Sequence, residues 1–231
     1  MSRPLFHLDA RLQLCANFVR PGAKLADIGT DHAYLPVWLE KQGLIRSAVA
    51  ADVRSGPLAN AEENLRRYET EHISVRLSNG LEAILPEEAE DIVIAGMGGE
   101  LIAQILSHAP WVKQEERRLI LQPMTCAPEL REYLRTNGFV VLREEAVESR
   151  GHVYSVMLLQ WQLGRAVTGE LYPYIGILQP NTPAACQYFK KQITSLRVRG
   201  QGLKEKEPEK SARLLQIADQ LEQIIPKEDV K

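Results

Sequence analysis

Ala26-Asp27-Ile28-Gly29-Thr30-Asp31-His32-Ala33-Tyr34-Leu35-Pro36 is the stretch on which the fold turns. The apolar run Lys24-Leu25-Ala26-Asp27-Ile28 reads as a short strand, and Gly29 ends it. Residues 33–42 follow with helical spacing, and Pro36 is admissible there only near the first turn. Strand, tight glycine turn and helix, in that order, form the repeating unit of an open parallel sheet. In such sheets ligands settle beyond the carboxyl ends of the strands, which here means at Gly29 to Tyr34.

The same alternation extends in both directions. Upstream, Leu5, Leu8, Leu12, Cys15, Ala16 and Val19 recur at helical spacing, which predicts a helix over 5–20 stopped by Pro21-Gly22. Downstream, strands are expected at 47–52, 73–77, 91–95 and 117–121, with helices at 57–68, 81–85, 100–107 and 128–136. Strands at 139–142 and 152–161 flank a charged turn with no helix between them, so they should be antiparallel neighbours. From Ala184 the pattern is helical again, with helices at 184–199 and 207–225 and a break at Gly200–Gly202. The expectation is an α/β fold with a mostly parallel sheet, its last strand antiparallel, and a C-terminal helical hairpin. The domains are placed at 1–163 and 164–231; whether the tail is rigid or moves on a hinge near Gly164 to Gly169 is left open by the sequence.

Composition narrows the function classes. With 231 residues, 45% hydrophobic and 25% charged, the chain suits a globular protein and excludes a disordered or collagenous one. No run of about 20 apolar residues would span a membrane. Cys15, Cys126 and Cys186 are odd in number and lack metal-ligand spacing, and the five histidines are scattered. That points to a reducing cytoplasm and to no metal site. The net charge of −2 is unevenly spread: residues 161–231 carry 11 Lys/Arg against 8 Asp/Glu, and the rest 17 against 22. Lys190, Lys191, Arg197, Arg199 and Lys204 lie in a stretch with no acid.

Four loops fall where chemistry belongs. A dinucleotide fingerprint needs three glycines, and only Gly29 is present, next to Asp31, which would repel a pyrophosphate. Asp27 and Asp31 suit a cationic ligand better, and S-adenosylmethionine carries both a sulfonium and an ammonium. Asp52 ends the second strand about 23 residues after Gly29, where an acid can take ribose hydroxyls. Asn79, followed by Gly80, can read an adenine edge as donor and acceptor, or simply form a turn. Ala95-Gly96-Met97-Gly98-Gly99 puts three glycines directly after a buried strand, a cost in stability unless a ligand approaches the backbone.

These residues carry a resemblance. ADIGTDHAYLP (26–36), AGMGGELI (95–102) and LILQP (119–123) resemble the bacterial tRNA (adenine-22-N1)-methyltransferase family, over essentially the whole chain. Thr30 stands where many relatives have Ser, and Met124 where they often have Asn. The resemblance implies a Rossmann-like class I methyltransferase using S-adenosylmethionine, with tRNA as partner. Asp27, Gly29, Asp31 and His32 would lie along the methionine part, with Thr30 beside them. Asp52 and Val53 would take the ribose, and Asn79 with Gly80 the adenine. Ala95, Gly96, Met97 and Gly98 would floor the pocket, and Gly99 would face the target base.

Adenine N1 has an in-plane lone pair and needs no deprotonation, so alignment matters most. Asp31, then Asp27, are the expected stabilisers of the cationic product, and Gln122 is expected at the adenine edge. N1 lies on the pairing face, so the base must be unpaired or flipped. Tyr34 would stack on it, unless it is only a half-buried helix residue. Lys190, Lys191, Arg197, Arg199 and Lys204 would meet tRNA phosphates, unless they are only a solvated face; Arg3 and Arg11 are weaker candidates for the same task. The competing functions are an NAD-dependent oxidoreductase, a small-molecule methyltransferase and a non-catalytic RNA-binding protein. A monomer is expected, since nothing demands a dimer.

Overall fold

A computed structural model describes residues 4–162 and 169–226. Seven strands, β1 (Ala23–Ile28), β2 (Ile45–Asp52), β3 (Ile73–Leu77), β4 (Asp91–Gly98), β5 (Arg118–Thr125), β6 (Phe139–Ser149) and β7 (His152–Trp161), form one sheet. Their order is β3-β2-β1-β4-β5-β7-β6. Strands β1 to β5 pair in parallel, and β7 runs antiparallel to both its neighbours, β5 and β6. The expected parallel sheet with an antiparallel last strand is therefore present. The chain winds outward in both directions from β1 and β4, so the topological switch point lies between them.

Eight α-helices accompany the sheet among the described residues: α1 (Ala10–Phe18), α2 (Tyr34–Lys41), α3 (Ser55–Arg67), α4 (Gly99–Ser107), α5 (Ala127–Thr136), α6 (Tyr172–Ile175), α7 (Pro183–Leu203) and α8 (Pro208–Ile224). The central strands are buried on both faces, which explains their unbroken apolar runs. In β4, Ile92 and Ile94 join one core cluster and Val93 the other; in β5, Leu119 and Leu121 part from Ile120 in the same way.

Several elements differ from the sequence reading, each for a local reason. Helix α1 starts at Ala10 rather than 5, because the Asp9 carboxylate accepts the Leu12 N–H at 2.9 Å and caps it. Residues 81–85 form a turn, not a helix: Ser78 Oγ accepts the Ala83 N–H, and a short 3-10 turn follows at Pro86–Glu88. Strand β4 does not stop at Ala95 but runs on to Gly98 with a register shift at Gly96, and β5 continues beside it through Pro123 to Thr125. Strand β6 continues through the charged residues read as a turn. Glu144 can lie in a strand because it is buried against Arg131.

The expected break at Gly200–Gly202 is absent. Helix α7 runs through both glycines, and Gly200 lets α8 come close: a Cβ there would sit 3.0 Å from Leu215. The Ser211 hydroxyl donates to the Gly200 carbonyl at 2.7 Å across the hairpin. The hairpin is joined to the sheet by a buried polar cluster. Arg131 in α5, fully buried, donates to Glu144 at 2.6 Å, to the Pro173 and Tyr174 carbonyls of α6, and to Tyr188 of α7. Glu144 in turn accepts the Ile177 N–H at 3.0 Å. The expected domain boundary at 163/164, and residues 164–168 of the candidate hinge, lie outside the described residues.

Candidate functional site

A pocket of about 400 Å³ opens at the switch point, beyond the carboxyl ends of β1 and β4. Asp27, Gly29 and Asp31 from the first strand–helix turn line it, with Ala95 from β4. Phe6, Asp9 and Arg11 close it from the N-terminal segment, and Arg150 from the β6–β7 turn. A larger groove of about 630 Å³ lies between α5 and the helical hairpin, away from the strand ends; its Arg135 and Arg213 are held by Glu132 and Glu170.

The β1 turn is built by backbone bonds to the next strand: the Gly29 and Thr30 N–H groups both donate to the Ala51 carbonyl. Gly29 has φ +74, and His32 and Ala33 also lie in the left-handed region at +59 and +53. Non-glycine residues rarely adopt that conformation, and such strain gathers at functional turns. Asn64 of α3 holds it by donating to the His32 carbonyl at 2.9 Å. Inside the turn, the Thr30 hydroxyl donates to Asp27 at 2.6 Å. Asp27 is buried, and burial pushes its carboxyl up to about 6, with the Thr30 bond and the Arg11 charge opposing.

Asp31 differs from Asp27: its side chain is 83% exposed, with the His32 Nε2 at 3.4 Å. His32 stacks on Tyr34 with ring centroids 5.2 Å apart, and Phe6 meets Tyr34 edge-on at 4.9 Å. Tyr34 begins α2 and is partly exposed. Asp52 is buried at the end of β2; its Oδ1 accepts the Arg54 N–H at 2.8 Å, and its Oδ2 has no partner among the described residues. Val53 beside it is exposed.

Gln122 is not at a substrate edge. It is fully buried, its Oε1 accepts both the Gly96 N–H at 3.0 Å and Arg11 Nη1 at 2.7 Å, and its Nε2 donates to the Pro123 carbonyl. With both ends of the amide engaged, it supports the pocket wall rather than contacting a base. Gly99, expected to face the target base, is buried, and its lack of a side chain is used by the protein: a Cβ would lie 2.2 Å from the Cys126 carbonyl. Gly29 admits the protein itself, since a Cβ there would sit 2.1 Å from Met97 Cε. Gly80 serves packing against Ile105, at 2.8 Å from such a Cβ, and the Asn79 amide donates to Glu82. Gly98 ends β4 and caps α4.

The tail cations are not one bare face. Arg197 is held by Asp219 at 3.1 Å and Glu222 at 2.7 Å, acids that α8 brings across from 22 and 25 positions away. Lys191 donates to the Val153 carbonyl at 3.0 Å and lies over Tyr154. Lys190 is exposed on α7, as are Arg199 and Lys204 at its end. Arg11, read from sequence as a weak surface candidate, is a pocket residue; helical phase placed it on α1 but could not aim it at β5. Among the described residues no group of His, Cys, Asp and Glu is arranged to hold a metal ion, and no helix is long and apolar enough to cross a membrane.

The pocket has counterparts in known proteins. A methyltransferase-domain family model matches residues 8–157. The chain is 39% identical over 154 residues to the tRNA (adenine(22)-N(1))-methyltransferase of Bacillus subtilis; the match spans 66% of this chain and 65% of that protein, just under two thirds of its length. The structure is similar to that of a putative tRNA (m1A22) methyltransferase of Streptococcus pneumoniae, with TM-score 0.84 and 33% identity over 95% of this chain and 100% of that one. It is also similar to that protein's complex with S-adenosyl-L-methionine, at TM-score 0.81, 33% identity, and 93% and 99% coverage.

Proposed function

The chain belongs to the methyltransferase-domain family, among the proteins resembling tRNA (adenine-22-N1)-methyltransferases, and on that premise we propose that it methylates N1 of adenine 22 in tRNA. The observation that carries the reading is the pairing, in one pocket, of Asp27 and Asp31 with Arg11 at the switch point of the sheet. That charge pattern fits a donor that carries two cationic groups and one carboxylate, and fits a dinucleotide pyrophosphate poorly.

S-adenosylmethionine supplies an electrophilic methyl group on a sulfonium. Asp27, with Asp31 at the rim, would hold the cationic part, and Arg11 the carboxylate. Asp52, at the end of β2, would offer its carboxylate to the ribose hydroxyls. The Gly29 to Ala33 turn would lie along the methionine part, with Ala95, Gly96 and Met97 beneath it. Gln122 fixes both Arg11 and the Gly96 bulge and so holds the pocket wall in shape.

The protein's task is then to present an unpaired or flipped base in line with the methyl group. Tyr34, stacked on His32 at the rim, offers the base an aromatic platform. Asp31, at the rim, would stabilise the positive charge that builds on the ring, since the N1 lone pair attacks without losing a proton first. The helical tail, 164–231, serves as the second RNA contact, through Arg199 and Lys204 before Arg197, whose charge is already matched. Lys191 flanks that path where α7 meets β7, and Lys190 extends it on the exposed side of α7. Such a substrate places the reaction in the cytoplasm.

Incubation of the protein with unmodified tRNA and methyl-labelled S-adenosylmethionine, followed by digestion to nucleosides, tests the reading. Label in 1-methyladenosine is the expected result. Label in another nucleoside, or none with cofactor bound, would overturn it.

A further inference from the structure

The turn between β6 and β7 consists of Arg150 and Gly151 alone, with Ser149 paired to His152 across it. Both turn residues are left-handed, at φ +52 and +75. A two-residue hairpin of this kind favours Gly at its first position, where any Cβ crowds the following carbonyl, or Asn and Asp, whose short polar side chains offset that cost by bonding locally. An arginine there is a local conflict that the fold itself does not reward. The guanidinium is 83% exposed, and its ion pair with Asp9 is long, at 3.7 Å. An exposed pair of that kind contributes little to stability. Asp9 is engaged without it, capping α1 through Leu12 and facing Arg11 at 3.7 Å.

Its position is more informative. Arg150 borders the pocket that contains Asp27, Gly29 and Asp31. Beyond the turn, β7 begins with two rings that meet a cation of the tail: His152 and Tyr154 lie 6.4 Å apart, and Lys191 of α7 lies over Tyr154 at 5.6 Å. Cations interleaved with rings suit a nucleic-acid strand, whose phosphates and bases alternate.

We propose that Arg150 binds a backbone phosphate of the RNA substrate at the mouth of the pocket, and that the β6–β7 turn is the substrate-positioning element linking the pocket to the helical tail. The inference rests on the RNA-methyltransferase reading above. A carboxylate on the cofactor is the other anion within reach, but Arg11 is the cation for it: its side chain is 18% exposed and lies against the pocket wall.

Arg150→Asn tests this cleanly, because asparagine suits the turn and the variant should fold at least as well. The expected result is unchanged thermal stability, unchanged cofactor affinity and unchanged turnover at saturating tRNA. The KM for tRNA should rise roughly tenfold, as for loss of one charged hydrogen bond. The salt dependence of tRNA binding should become shallower by about 0.7 to 0.9, the slope of one phosphate contact. Arg150→Lys should recover most of the loss. A folded Arg150→Asn variant with wild-type KM and salt slope would overturn the proposal. So would a matching loss of cofactor affinity, which would assign the guanidinium to the cofactor. Wild-type protein that binds tRNA without methylating it would sink the activity reading and leave the salt slope to decide on Arg150; wild-type protein that binds no tRNA would sink both.

Discussion

Arg11 Nη1 donates to the Gln122 side-chain oxygen at 2.7 Å across 111 positions of sequence, and that one oxygen also accepts the Gly96 N–H. The N-terminal helix, the bulge within β4 and the middle of β5 are thus fixed at a single buried atom. The pocket owes its shape to this bond as much as to the glycines around it.

Gln122→Ala should therefore damage both stability and binding. It leaves the Gly96 N–H and the Arg11 guanidinium without their acceptor, a loss of ~1–3 kcal/mol. Thermal unfolding with and without S-adenosylmethionine checks this. The expected outcome is a lower Tm and a smaller stabilisation by cofactor, even though Gln122 touches no ligand.

Asp27 should make both stability and cofactor binding depend on pH. Its folded-state carboxyl is raised to about 6 from an ordinary 3.8, so between those values the folded chain keeps a proton that the unfolded chain has lost. Its contribution thus favours folding at the acid end of that window and disappears as pH rises through about 6. A cationic cofactor requires the ionised form, so cofactor affinity should weaken as pH falls below about 6. Calorimetric titration across pH 5 to 8 measures it. Asp27→Asn should bind weakly at every pH and show a flatter profile.

Sequence reading recovers the sheet and, of the pocket lining, Asp27, Gly29, Asp31, Tyr34 and Ala95, because these are written locally. Apolar runs mark buried parallel strands, and Gly29, Asp31 and Asp52 sit at strand ends, where short motifs suffice to place them. What escapes it is what depends on pairing across distance. Gln122 looks like a substrate contact until Arg11 and Gly96 are seen to occupy it. Arg197 looks bare because its acids lie 22 and 25 positions away on α8. The charged run 143–148 reads as a turn because its buried partner, Arg131, belongs to another helix. Gly200 reads as a break because the closeness of α8 is invisible in one dimension.

The Arg131–Glu144 pair should be costly to break and cheap to replace. Arg131→Met alone leaves Glu144 buried and charged, a loss of about 3–5 kcal/mol. The double variant Arg131→Met/Glu144→Leu removes both charges and should recover a large part of it. Chemical denaturation of the two variants checks the difference; equal losses would mean that the bonds to α6 and Tyr188, rather than the ion pair, dominate.

Gly29→Ala should lower stability through two separable effects. The left-handed φ costs ~1–2 kcal/mol with a side chain present, and the new Cβ meets Met97. Adding Met97→Ala should relieve the second effect and not the first. Partial recovery of Tm in the double variant, read by thermal unfolding, is the expected outcome.

Primer extension on unmodified tRNA, after incubation with the protein and S-adenosylmethionine, tests the central claim most directly, because a methyl on N1 blocks the pairing edge that reverse transcriptase must read. A stop beside adenine 22 is expected that needs the cofactor and is lost in Asp31→Ala protein even at saturating cofactor. Full-length extension through adenine 22 by wild-type protein with cofactor bound would contradict it.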